Sequence, residues 1–191
     1  MMLGIIFEIP NEYGSYLSQI FRNVDLAKYT WCIEHADTHM VDDTGNGLTD
    51  KSLFDAEELT KEEYDQYPCP TVGFIDWNGT TSRRVYFKRP VVSGEEFAHR
   101  IASSKYYLVE CDIKAYPPGA ESTRTYIKTY DEFIDSDCQI ILHYYDTLFI
   151  RLFCKDEKVA EAVLDNCKEF GFDNVEVLTP EFMKTIKFSI L

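Results

Sequence analysis

The stretch "KYYLVECDIKAY", residues 105–116, limits more than any other what this chain can fold into. Tyr107, Val109, Cys111, Ile113 and Ala115 fall on one side of a period-two pattern, and Leu108, Glu110, Asp112 and Lys114 on the other. Only a β-strand has that period. Pro117-Pro118-Gly119 stops it. A long strand with one apolar face and one wetter face requires a second layer, sheet or helices, on the apolar side.

The flanking sequence supplies those helices. Leu3 to Ile9 reads as a short apolar strand stopped by Pro10. Asn11 is a suitable N-cap with Glu12 beside it, and Tyr13, Tyr16, Leu17, Ile20 and Phe21 share a helical face. Gly14 weakens that helix, so packing must hold it. Tyr29 to His35 follows as a strand. The same order returns in "TLFIRLFCK" (147–155), then a helix capped by Asp156 with Val159, Ala160, Val163, Leu164 and Cys167 on one face. Gly171 is its expected C′ residue, and "NVEVLT" (174–179) the next strand.

Between the two units, "TVGFIDW" and "RVYFK" flank Asn78-Gly79, a strong hairpin signal. Ser93 and Glu96 form a capping box before Phe97 and Ile101. Residues 129–135 predict one or two helical turns, and "CQIILHYY" (138–145) a strand that pairs with the one from Thr147. The expected fold is a single α+β domain over 1–191. Its sheet is mixed or antiparallel under two main helices, with ferredoxin-like split βαβ order one arrangement open to it. Residues 42–92 read as an insertion, an acidic loop followed by a β-hairpin.

Charge narrows the function classes. The net charge is −14, and residues 42–70, with nine acids and two lysines, hold half of it. Such a field repels nucleic-acid phosphates and anionic membranes and attracts basic partners. The six cysteines form no CxxC pair, and most sit in apolar patterns, so buried free thiols in a reducing cytoplasm are expected. Met1-Met2-Leu3-Gly4 lacks the basic and apolar regions of an export signal, and no stretch is apolar enough to span a bilayer.

Several motifs approach known chemistry and stop short. "DDTGNGLTD" (42–50) echoes a calcium loop, but Leu53 holds the position where a bidentate glutamate is needed. His35 and His39 are four apart, which on a strand is about 13 Å, too far for one metal ion. Asp112 and Lys114, with Glu110 upstream, resemble the strand element of a metal-dependent nuclease, but the net charge opposes a polyanion and an ion pair is the simpler reading. His99 and His143 have no partners in sequence that make a triad.

"FEIPNEYGSYL", "DIKAYPPG", "KTYDEFIDSDCQIIL" and "CKDEKVAEAVLDNCKEFGFDNVEVLT" resemble a family of uncharacterised Bacillus-type Firmicutes proteins, known only as a domain of unknown function. The resemblance covers 3–41 and 93–179 and implies a small cytosolic bacterial protein whose relatives lack much of 42–92. "IPNEYGSYLSQIF" is more weakly similar to the opening helix of SMI1/KNR4-type immunity proteins.

The leading expectation is a non-catalytic module that binds a basic protein partner through Asp55, Glu57, Glu58, Glu62 and Glu63, with Tyr64, Tyr67 or Trp77 as aromatic anchor. A small-molecule-binding protein with a tyrosine-lined cleft is the alternative, with Arg84, Arg124 or Lys128 meeting an anionic ligand. A metal-dependent hydrolase is the third. No cofactor, metal, nucleic acid or membrane is expected, and the oligomeric state is left open.

Overall fold

A computed structural model describes residues 3–41, 47–48, 53–54, 57–66, 74–77, 82–88, 90–103, 105–120, 127–145 and 148–188. The strands are β1 (Leu3–Glu8), β2 (Thr30–Val41), β3 (Gly47–Leu48), β4 (Glu57–Leu59), β5 (Phe74–Trp77), β6 (Ser82–Lys88), β7 (Val91–Ser93), β8 (Tyr106–Tyr116), β9 (Ile140–Tyr145), β10 (Phe149–Cys154) and β11 (Asp173–Leu178). The helices are α1 (Tyr16–Ile20), α2 (Lys61–Gln66), α3 (Gly94–Ser103), α4 (Tyr130–Asp135), α5 (Glu157–Phe170) and α6 (Pro180–Met183).

The main sheet has the order β11-β1-β10-β9-β8-β2-β3, with β7 also on β2, and β4-β6-β5 form a second sheet. Every pairing among the described strands is antiparallel. Strand β1 lies between β10 and β11, so β10-α5-β11 is a split βαβ unit. The opening unit is not its counterpart, because three strands separate β1 from β2. The α+β class and the antiparallel sheet are thus established, and the complete ferredoxin-like arrangement is not.

One face of the main sheet is continuously apolar. Ile5, Phe7, Leu142, Tyr144, Ile150, Leu152, Cys111, Ile113 and Trp31 pack there against Leu17 and Ile20 of α1, Phe97 and Ile101 of α3, and Val163 and Cys167 of α5. The Trp31 and Phe97 rings stack at 4.1 Å, and Phe54 stacks on Phe97 in turn. Leu53, at the place a calcium ligand would need, is buried in this core, and its N–H donates to Thr38 Oγ1 at 2.7 Å. The other face carries a second apolar cluster, where Cys32, Tyr116, Ile141, Phe153 and Leu178 pack against Phe133 of α4 and Met183 of α6.

Local signals at several termini behave as their chemistry requires. Asp156 accepts from Lys158 N–H, and Gly171 closes α5 at φ 67°, the left-handed region where a side chain is disfavoured. Thr129 and Glu132 complete a capping box on α4. Ser93 Oγ accepts from Glu96 N–H at the start of α3. Lys155 Nζ donates to the Ile134 and Ser136 carbonyls, satisfying groups at the end of α4 that the helix leaves open.

Two expectations need correction. The first helix is five residues long and starts after Ser15, so Asn11 does not cap it. Gly14 instead exchanges both backbone hydrogen bonds with Tyr106, which holds the chain extended until the helix begins. Tyr13 lies outside the helix and exposed, against Tyr107, while Tyr16, Leu17, Ile20 and Phe21 are buried as the spacing requires. The second correction concerns the alternation in β8. Asp37 pairs with Glu110 but Thr38 with Leu108, so Val109 is a bulge. The bulge reverses the pattern, and Leu108 and Tyr106 join Cys111 and Ile113 in the apolar core.

The described cysteines, Cys32, Cys111, Cys138, Cys154 and Cys167, are buried free thiols. Burial pushes the thiols of Cys138, Cys154 and Cys167 up to about 12, which leaves them without thiolate character at neutral pH. Gly94 is where backbones approach most closely: a Cβ there would stand 1.9 Å from the Leu26 carbonyl oxygen. Gly94→Ala should therefore destabilise the protein by about 2 kcal/mol or more, read as a lower urea midpoint at unchanged m-value; an unchanged midpoint would contradict this packing of α3.

Candidate functional site

Beside the second apolar cluster, the sheet's second face carries a row of polar residues. Pairing across β8, β9 and β10 sets Asp112 opposite His143 and His143 opposite Arg151. Directly opposed residues of antiparallel strands project to the same face. His35 of β2 stands opposite Asp112, extending the row at the backbone level. The neighbouring row on one side is the apolar one with Cys32, Ile141 and Phe153; on the other lie the half-buried Glu110, Tyr145 and Phe149. The polar row is the boundary between a dry floor and a wetter one.

Lys114 anchors it. Its Nζ lies 2.8 Å from Asp112 Oδ1 and 3.4 Å from Glu34 Oε1. Glu34 reaches Lys114 because β2 bulges there: Ile33 pairs with Ile113 and His35 with Asp112, leaving Glu34 as the extra residue. A bulge re-aims its side chain in this way. Asp112 and Lys114 are 5% and 3% exposed, so the face is far drier here than alternation alone implied. Burial by itself would raise the Asp112 carboxyl, but the Lys114 charge, followed by His143, outweighs it and brings the group down to about 2. Burial likewise works against the Lys114 ammonium, and Asp112 and Glu34 together hold it above its ordinary value. Both members are therefore ionised in the folded chain at neutral pH.

His143 is 2% exposed, with Nε2 3.5 Å from Asp112 Oδ1. That distance is at the limit of a hydrogen bond and the alignment does not complete one, so Nε2 stays unsatisfied. Arg151 Nε is likewise buried with no acceptor. Its guanidinium lies 4.6 Å from the centre of the Tyr145 ring, which stacks on Phe149. The nuclease-like pair Asp112 and Lys114 is thus an ion pair along one strand, joined across strands by Glu34 and His143. Among the described residues, no group of three or more His, Cys, Asp or Glu is placed to hold a metal ion.

The acidic surface is placed only in part. Glu62 and Glu63 lie exposed in the first turn of α2, where the helix dipole favours anions. Glu63 also accepts from Thr60 N–H and Oγ1, while Thr60 Oγ1 accepts from Glu63 N–H, and these bonds lower the Glu63 carboxyl. Glu57 and Glu58 belong to β4, opposite Lys88 and Phe87 of β6, and Trp77 ends β5. Tyr64 is in α2. Asp55, Tyr67 and Arg124 lie outside the described residues, as do 42–46 of the calcium-like loop. Arg84 is in β6 opposite Ile75. Lys128 is exposed beside α4, with its N–H donating to Glu132. Arg151 and His143, which the sequence did not join, stand side by side on adjacent strands.

Fold and site together define an α+β protein with an antiparallel sheet clothed on both faces and a buried set of opposite charges inside one of them. The chain belongs to the DUF2691 family of proteins of unknown function, whose model matches residues 2–67 and 73–189. That match includes most of 42–92, so the family extends beyond the segments in which the resemblance was read. The chain is 28% identical over 182 residues to the uncharacterized protein YncE of Bacillus subtilis (strain 168), covering 95% of this chain and 94% of the relative. No solved structure matches it.

Because Lys114 serves two buried carboxylates, Lys114→Met should lower stability by about 3–5 kcal/mol, and adding Glu34→Gln and Asp112→Asn should restore much of it. Urea titration of both variants tests this. The Asp112 pKa is lower folded than unfolded, so its contribution is complete above pH about 4 and lost as pH falls through about 2. The urea midpoint of the wild type should accordingly fall more steeply on acidification than that of Asp112→Asn.

Proposed function

We propose that this chain is a non-catalytic binding protein that engages a basic partner protein through the acidic surface of residues 42–65. The observation that carries the reading is the distribution of charge: half of the net −14 falls in 42–70, and the two acids there whose side chains are described, Glu62 and Glu63, are exposed. The charges of the main sheet's second face do not compete for this role, because Glu34, Asp112 and Lys114 are paired with one another indoors. Helix α2 has no basic residue in its last turn to offset its first-turn acids. Asp55, Glu57, Glu58, Glu62 and Glu63 carry the recognition in this reading. Tyr64, Tyr67 and Trp77 are the aromatic anchors that such an interface uses for affinity, while the acids supply steering and speed.

Affinity capture from a Bacillus lysate at low and high salt, with wild type and an E62K/E63K variant, tests the reading. A partner retained by the wild type should be lost at high salt, and the variant should bind it about tenfold more weakly. Retention indifferent to salt and to charge reversal would contradict it.

A further inference from the structure

We propose that Arg151 and His143 form a binding site for the carboxylate group of a small organic acid, at the edge of the polar row where the second face becomes wetter. In a chain of net charge −14, arginines are expected to find acids. Among the described residues Arg151 has no carboxylate within ion-pair distance, and its Nε is buried without an acceptor. The acids nearest along the row are already committed: Lys114 takes both Asp112 and Glu34. The row is balanced in sum, two cations against two carboxylates, but both carboxylates sit on Lys114 and Arg151 is left without one in contact.

His143, directly opposite Arg151 on the adjacent strand, adds a second orphan. The Asp112 carboxylate 3.5 Å from Nε2 makes that nitrogen the protonated one, since a lone pair there would face a negative charge. The row therefore presents two neighbouring N–H donors, Arg151 Nε with no acceptor and His143 Nε2 with Asp112 only at the 3.5 Å limit, an arrangement buried donors rarely tolerate. A carboxylate answers both, with one oxygen on each donor, and gives Arg151 the ion-pair contact it lacks. Tyr145 and Phe149, half-buried and stacked on each other beside the guanidinium, form the apolar floor on which the rest of an organic acid can lie. Bulk phosphate suits this site less, because Asp112 and Glu34 crowd one side and a single unpaired arginine offers one charge. Its residues belong to β9 and β10 and not to 42–65, and binding there needs no protein partner.

The Arg151 Nε–H resonance in side-chain-selective ¹H–¹⁵N spectra reads the site directly. Titration with sodium acetate, at ionic strength held constant with sodium chloride, should shift that resonance saturably in the millimolar range. His143→Gln and Arg151→Lys should each weaken acetate binding roughly tenfold, the worth of one charge-assisted hydrogen bond. A linear shift that chloride reproduces, or none at all, would overturn the proposal even if neither variant folds. So would an acetate affinity unchanged in a folded His143→Gln protein.

Discussion

Lys114 is the charge about which the second face of the main sheet is organised. A lone ammonium or carboxylate in that position would be expelled to water or neutralised, because desolvation of an isolated ion far exceeds the stability of a domain of this size. With Asp112 and Glu34 on either side of it, the lysine stays charged and indoors. The arrangement ties β2 to β8 through side chains as well as backbone, at the point where a bulge interrupts the ladder. Replacing the set with apolar residues of equal volume would be close to neutral for stability, so its presence is better explained by what it does to its neighbours. It fixes an ionised Asp112 beside His143, and it removes the two acids that Arg151 would otherwise find.

The rest of the molecule is built to hold that row in place. The opposite face is a continuous apolar floor under α1, α3 and α5, and it pins the register of β8, β9 and β10. Tyr106 joins this scaffold: its hydroxyl donates to the Ile101 carbonyl and accepts from Leu17 N–H, linking α1 to α3. Asn166, fully buried, donates to the Ile20 carbonyl and closes the end of α1 from α5. With register fixed on one side, the polar residues on the other have no freedom to slip.

Legibility in the sequence followed the range of the interactions. The β10-α5-β11 unit was readable because its signals are local: Asp156 at the cap, Gly171 at the left-handed position, one apolar helical face between them. The helix after Pro10 was overextended because the contact that delays it, Gly14 against Tyr106, spans most of the chain. The bulge at Val109 left no mark in the alternation of β8 and turned two of its side chains to the other face. Asp112 and Lys114 were seen as a pair but placed on a wet face, since their burial depends on β2 and β9. His143 was seen only as a histidine without a partner, and Glu34 and Arg151 were not joined to it, for the same reason. A usable signal existed: His143 in "IILHYY" and Arg151 in "FIRLFC" are single polar residues in otherwise apolar strands, and consecutive antiparallel strands bring such residues into one row.

The most direct test of the account is the titration of the Asp112 carboxyl followed by its ¹³C resonance in the folded protein. An aspartate ionised by Lys114 and neighbouring His143 should keep its carboxylate shift throughout the acid range in which free aspartate titrates, with protonation only near pH about 2. A midpoint at or above the ordinary 3.8 would mean that Lys114 does not hold it, and that Arg151 and Asp112 are free to satisfy each other.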